Sequence, residues 1–248
     1  GLRVEAMGEY VRARYAPGNV TLAAAGRVDF DALVDCARRC CGPWEPVAAR
    51  RTVQPASHCP GFHAMVKDSA TQLYAVQMAA GPAATDADRY PAKLLAAILG
   101  DDTGSRLFWE LVDPGLAETA SVGHCEFEGA GAFFTYLCCD PDRAADNLQR
   151  ILDLFRRVER EGVTQAELDQ AKSKVSSRIV LSGERPRGRL FVVGSDWIHR
   201  REYRSVRDDL DALAAMTIED LLAVVAKYPL SGGTTVTIGP LDEIACPH

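Results

Sequence analysis

The 248-residue chain lacks any run approaching the roughly 18 unbroken apolar residues that a bilayer span requires, so no transmembrane segment is expected. Its opening stretch, GLRVEAMGEYVRARY, has the spacing of an amphipathic helix rather than of a secretory signal. The sequence is therefore read as soluble and cytoplasmic, from a chain whose true N-terminus is expected upstream of Gly1. Basic residues are in deficit: 28 Lys and Arg against 34 Asp and Glu give a net charge of -6, which repels a phosphate backbone. The one basic stretch, Arg185, Arg187 and Arg189 with Arg200, Arg201 and Arg204, alternates with Glu184, Asp196, Glu202, Asp208 and Asp209. That is a mixed-sign helix surface, and nucleic acid is not an expected partner.

Histidine is equally scarce. The five, His58, His63, His124, His199 and His248, include no two that are four apart, so no pair can grip a metal from adjacent turns of one helix. Serine chemistry has no G-x-S-x-G elbow, and neither Ser57-His58 nor Gly194-Ser195-Asp196 has a partner that the sequence can place. A phosphate loop is missing too, because residues 100–105 set two carboxylates where phosphate would lie and supply no Lys. The eight cysteines show no paired C-x-x-C spacing, so most are expected as small buried apolar residues. A metal cluster of Cys36, Cys40, Cys41, His58 and Cys59 is the less favoured alternative.

What is present is an ordinary globular composition, 47% hydrophobic and 25% charged, long enough for one domain and an additional piece. Val4, Met7 and Val11 fall on one stripe of a half-buried opening helix, and residues 19–25 form a short apolar run expected as a strand ending at Gly26. A helix over 29–41 stops at Gly42-Pro43, and Pro43, Pro46, Pro55 and Pro60 mark 42–60 as a linker. Beyond it, strands are expected at 62–67 and 72–80, a helix to Leu99, a short helix over 104–112 and a hairpin of 119–127 with 132–139. Ala144, Leu148, Ile151, Leu152, Phe155 and Val158 then make the buried stripe of a long helix. Thr164 with Glu167 and Thr217 with Asp220 are capping boxes for two more helices, with a helix over 186–199 between them, and 234–238 is the final strand. Trp109, Phe133, Phe134, Tyr136, Phe155 and Trp197 are expected in the core.

The first and last segments share one layout: a helix, a Tyr, a Pro, then an apolar run ending at Gly. Tyr15 precedes Gly26 by eleven residues and Tyr228 precedes Gly239 by eleven, with the two copies 213 residues apart. This separation predicts a tandem of two similar α+β domains, with residues 1–41 as the tail of the first and 61–248 as the body of the second.

That layout, with Tyr15-Ala-Pro-Gly-Asn19, Ile98 to Phe108, Glu110-Leu111, Gly115-Leu116-Ala117, Thr164 to Leu168, Ala171-Lys172 and Gly239-Pro240, is similar to the pitrilysin/insulinase family of zinc peptidases. The resemblance implies an α+β fold, an antiparallel sheet packed against several helices, forming part of one half of a clamshell. In that family an H-x-x-E-H helix motif and a distant Glu build the zinc centre. This chain has no such motif, so the resemblance implies a non-catalytic C-terminal portion that closes the peptide chamber of a catalytic half. No cofactor is expected in this chain, zinc belongs to the other half, and the implied partners are that half or a partner subunit, a peptide, and in some arrangements a dimer mate. Relatives supply an Arg and a Tyr seven residues apart; here Val112 stands in the Arg position and Glu118 near the Tyr position, one residue short. No catalytic residue is implied. The loop of Gly100, Asp101, Asp102, Gly104, Ser105 and Arg106 resembles a chamber-facing loop of non-catalytic partners, against the alternative that it is a capped helix start with Arg106 on the surface. The alternative function is a catalytically dead interaction or scaffold subunit.

Overall fold

The computed structural model describes residues 1–48 and 59–248, so most of the 42–60 linker, together with Ser57 and His58, lies outside the described residues. The chain divides into two compact units, one of residues 1–54 and 180–204, the other of 55–179 and 205–248.

The larger unit is built on one five-stranded sheet, with β1 (Gly61–Val66), β2 (Leu73–Gly81), β3 (Thr119–Phe127), β4 (Ala130–Cys139) and β5 (Thr234–Gly239) in the order β1-β5-β2-β4-β3. Every pairing is antiparallel except β1 with β5, which is parallel, so the expectation of an antiparallel sheet is corrected at that edge. Parallel pairing there follows from chain order, because β1 and β5 lie at opposite ends of the unit and are joined by no hairpin. β3 and β4 meet in a two-residue turn, where Gly129 takes φ 73°, which a residue with a Cβ adopts only at a cost.

One face of the sheet carries the core. Leu73, Ala75 and Ala79 of β2 alternate inward with Phe133 and Leu137 of β4. They meet α3 (Arg89–Gly100), through Leu94, Leu95, Ile98 and Leu99, and α4 (Ala144–Glu161), whose entire expected stripe is buried. Each fully buried Leu or Phe of this set contributes about 1.5–3 kcal/mol. α4 ends at Gly162, φ 74°, and α5 (Gln165–Gly183) starts from the Thr164–Glu167 box. α8 (Ile218–Lys227) starts from Thr217 and Asp220, as expected. α7 (Val206–Ala215) escaped the sequence reading, although Ser205 and Asp208 form the same reciprocal cap. Two expected core aromatics, Phe133 and Phe155, are buried, whereas Trp109 (61%) and Trp197 (44%) are exposed. Their stripes looked apolar by spacing, but a sequence period does not say which stripe meets a neighbour. The cysteine expectation is likewise corrected: only Cys138 and Cys139 are buried and five of the eight are exposed.

The smaller unit holds α1 (Val4–Arg14), α2 (Phe30–Cys41) and α6 (Pro186–Arg200). Asp29 caps α2 through the Ala32 amide at 3.0 Å. Residues 20–25 run along α6: a methyl at Gly194 would touch the Ala23 methyl at 3.5 Å, and one at Gly26 would touch Pro186 at 3.7 Å. Two expectations fail here. No residue of α1 is buried, with Val4, Met7 and Val11 at 80%, 56% and 48% exposure. The 19–25 run is not a strand: Asn19 closes a 3-10 turn with Pro17 and Gly18, and residues 20–25 join no sheet. The physical reason is the same for both: an amphipathic helix and a strand need a surface to pack and pair against.

Candidate functional site

The sheet face opposite the core is apolar and open. Register lines up three rows across the strands: Thr119, Cys138, Tyr74, Ile238 and Met65 in one, Ser121, Tyr136, Val76, Val236 and His63 in the next, and Gly123, Phe134, Met78 and Thr234 in the third. Because side chains alternate along a strand, all of these project from one face. Met65, Met78, Tyr74 and Val236 are 56%, 46%, 38% and 37% exposed, an apolar surface of the kind that marks a contact site. The sequence placed Phe134 and Tyr136 in the core; they lie half-buried on this face instead.

One corner of the face is polar. Gln72 Nε2 donates to Glu118 Oε2 at 2.5 Å, and Tyr74 Oη and Cys138 Sγ both donate to Gln72 Oε1, at 3.4 and 3.0 Å. Burial, followed by the neighbouring Cys138, Tyr74 and Glu118, pushes the Tyr136 phenol up. Burial and Glu118 do the same to the Cys138 thiol. Glu118 thus belongs to this corner, while Val112 packs half-buried against the core.

The loop predicted to face a chamber is tied to α5. Arg106 Nε and Nη2 donate to Glu167 Oε1 and Oε2 at 2.7 and 2.9 Å, and Nη2 also reaches the Gly162 carbonyl at 3.0 Å. Hydrogen bonding to Arg106 carries the Glu167 carboxyl down to about 2 against the opposing effect of burial. Asp101 is buried and accepts from Arg178 Nη2 and from Lys174 Nζ, the latter at 3.3 Å. Burial alone would raise its pKa; the hydrogen bonds from Arg178 and the Asp102 amide outweigh it, and the net direction is down. Ser105 Oγ closes the turn, donating to the Asp101 carbonyl at 2.7 Å and accepting from the Phe108 amide at 3.2 Å. Gly100 sits against β3, and Gly104 takes φ 67°. Asp102, Thr103 and the Trp109 ring are the parts turned outward. Trp109 shares a shallow cavity of about 200 Å³ with Gly104, Arg106, Gln170 and Lys174.

His63 lies on β1, His124 on β3, His199 on α6 and His248 at the last position, and among the described residues no three His, Cys, Asp or Glu side chains gather to hold a metal. His124 is a core imidazole: its Nε2 pairs with the Pro82 carbonyl at 3.0 Å, and burial pushes it toward the neutral form.

The model of the peptidase M16 inactive domain matches residues 2–175. Uncharacterized zinc proteases of Mycobacterium tuberculosis (H37Rv) and Mycobacterium bovis are each 30% identical over 224 residues, covering 88% of this chain and 51% of theirs. One from Streptomyces coelicolor is 28% identical over 254 residues, covering 98% of this chain and 54% of its own. Among solved structures, a peptidase M16 inactive domain from Pseudomonas fluorescens superposes with a TM-score of 0.84 at 20% identity, covering 99% of this chain and 59% of that one. A protease from Helicobacter pylori gives 0.83 at 18%, covering 97% and 60%, which is likeness of fold alone. The chain belongs to the pitrilysin-like peptidase family M16, as its C-terminal inactive domain. It spans about half the length of the curated relatives it matches.

Proposed function

We propose that this domain is the non-catalytic wall of a peptide-binding chamber whose zinc centre and hydrolytic groups belong to a catalytic half, in the same chain or a partner subunit. The observation that carries the reading is the open apolar sheet face of Tyr74, Val76, Met78, Phe134, Tyr136 and Val236, in a domain where no group of metal-binding side chains gathers among the described residues. An extended peptide suits such a surface, with apolar side chains against the rows and main-chain groups free to pair elsewhere. The outward parts of the 100–106 loop, Asp102 and Thr103, form a second contact in this proposal, while Arg106 holds the loop in place through Glu167. We assign residues 1–41 to the tail of a preceding homologous domain, 42–60 to the linker and 61–248 to the inactive domain. A cytoplasmic setting is supported by exposed free thiols at Cys36, Cys40, Cys59, Cys125 and Cys246, which persist where the medium is reducing. No helix among the described residues is long and apolar enough to cross a membrane.

Peptide hydrolysis by this chain assembled with a catalytic half tests the proposal. Cleavage is expected to be chelator-sensitive, and Met78→Glu or Val236→Glu is expected to raise KM about tenfold or more while the fold is kept, because both side chains already meet water. Unchanged kinetics in both variants would refute the chamber wall. The second reading, a catalytically dead scaffold subunit, draws on Val112 and Glu118 in place of the family's Arg and Tyr, and on the 0.86 TM-score, at 16% identity, to a chain of Complex III2 from Candida albicans. It predicts an assembly with neither bound zinc nor hydrolysis.

A further inference from the structure

On the helix side of the sheet, opposite the open face, register brings Thr135 of β4, Gln77 of β2 and Thr235 of β5 into one row. Over this row the packing against α4 is incomplete. A cavity of about 320 Å³ lies between the row and Leu148, Ile151 and Leu152 of α4, and all of it belongs to the larger unit. Cys246 and Pro247 close one side. The residue that follows them fastens this cover to α4: Gln149 Nε2 donates to the His248 carbonyl at 3.0 Å, and Gln149 Oε1 accepts from the His248 amide at 2.9 Å.

The polar row sets this cavity apart from a packing defect. Thr135 and Thr235 are 4% and 7% exposed, both line the cavity, and neither hydroxyl makes a hydrogen bond among the described residues. Gln77 Nε2 donates to the Leu230 carbonyl at 3.0 Å, and its Oε1 accepts from no donor among the described residues. Buried polar groups are ordinarily paired, so three neighbouring groups with unused capacity call for a partner. Water meets the need poorly. The volume holds roughly ten molecules at about 30 Å³ each, every one needing two to four polar contacts, while most of the wall is Phe62, Leu137 and the α4 side chains. A charged ligand is also disfavoured, because no Asp, Glu, Lys, Arg or His among the described residues lines the cavity to offset its lost hydration.

We infer that this cavity is a binding site for a small neutral alcohol or phenol. Its apolar body lies against Leu137, Leu148 and Ile151, and its hydroxyl meets the row, donating to Gln77 Oε1 and accepting from a threonine hydroxyl. A cavity of about 150 Å³ takes benzene, so this one takes a ligand of about a dozen non-hydrogen atoms. The site uses no residue of the open face and does not depend on a catalytic half, so it stands or falls apart from the chamber wall.

Titration of the 248-residue chain with 4-propylphenol, propylbenzene and 4-propylbenzoate at neutral pH separates the parts of this inference. The phenol is expected to bind with a Kd of roughly 100 μM or below. Propylbenzene, which lacks the head, is expected to bind about fivefold or more weakly, and the benzoate anion more weakly still. Methyl-resolved NMR is expected to place the phenol by shifts at Thr135, Leu137, Leu148, Ile151 and Thr235, with Met65 and Met78 of the open face unmoved. Thr135→Val removes one hydroxyl at nearly constant volume. It is expected to weaken the phenol about fivefold, to leave propylbenzene unaffected, and not to lower the melting temperature of the unliganded chain, because that hydroxyl has no partner there to lose. Absence of phenol binding up to about 1 mM, a preference for propylbenzene, shifts confined to the open face, or equal loss of both ligands in Thr135→Val would each overturn the inference.

Discussion

Arg106 is read from the sequence as part of a chamber-facing loop or as a surface residue at a capped helix start. The sequence shows a lone cation after a glycine-rich loop; the structure shows its guanidinium forked onto Glu167 of α5. Arg106→Met is expected to destabilise the domain by about 1–2 kcal/mol, the usual value of a charge-assisted pair reduced for partial solvent screening. The folded Glu167 carboxyl lies near 2, below its ordinary 4.5, so its contribution is present above pH 4.5 and is lost as pH falls toward 2. The difference between wild type and Arg106→Met in urea titrations is therefore expected to be full at pH 6 and to shrink across that window. The Thr164 hydrogen bonds survive in the variant and keep part of the shift. Gly100 carries the opposite lesson, because helix propensity favours Ala there by about 1 kcal/mol. A Cβ at Gly100 would lie 2.0 Å from the Val122 amide nitrogen, so Gly100→Ala is expected to cost roughly 1–3 kcal/mol or more in chemical denaturation as α3 is pushed off β3.

At the scale of elements, legibility followed local chemistry. The Thr164–Glu167 and Thr217–Asp220 boxes were visible because a cap is a contact between residues three apart, and Ser205–Asp208 carried the same signal for the α7 that the sequence reading missed. Ser205→Ala is expected to lower stability by about 1 kcal/mol, measured by thermal unfolding, with Ser205→Thr, which keeps the hydroxyl that donates to Asp208, close to neutral. Strands of the larger unit were legible for a similar reason, since Tyr74, Val76 and Met78 alternate with residues that pack inward. What alternation cannot do is label its two faces when both are apolar, which is why the expectation of Phe134 and Tyr136 in the core fails. The 19–25 run shows the other limit: its propensity is for a strand, but a ladder needs a second chain segment.

Across the whole molecule, His63, His124 and His199 lie on separate elements and His248 at the last position, and among the described residues no three metal-binding side chains gather. The 248-residue chain is accordingly expected to bind no stoichiometric zinc, and a chelator is expected to leave its melting temperature unchanged; a metal held by its own side chains, seen by elemental analysis after dialysis, would contradict the proposed division of labour. By itself, the sequence determined the family, the α+β class, the helix caps and the want of a metal-binding helix, because each is written in residues close together along the chain. Only the tertiary structure decided that β1 pairs parallel with β5, that one face of the sheet stays open, that Arg106 is held by Glu167, and that residues 20–25 stand without a ladder. Those are relations between distant segments, and no local spacing encodes which of them meet.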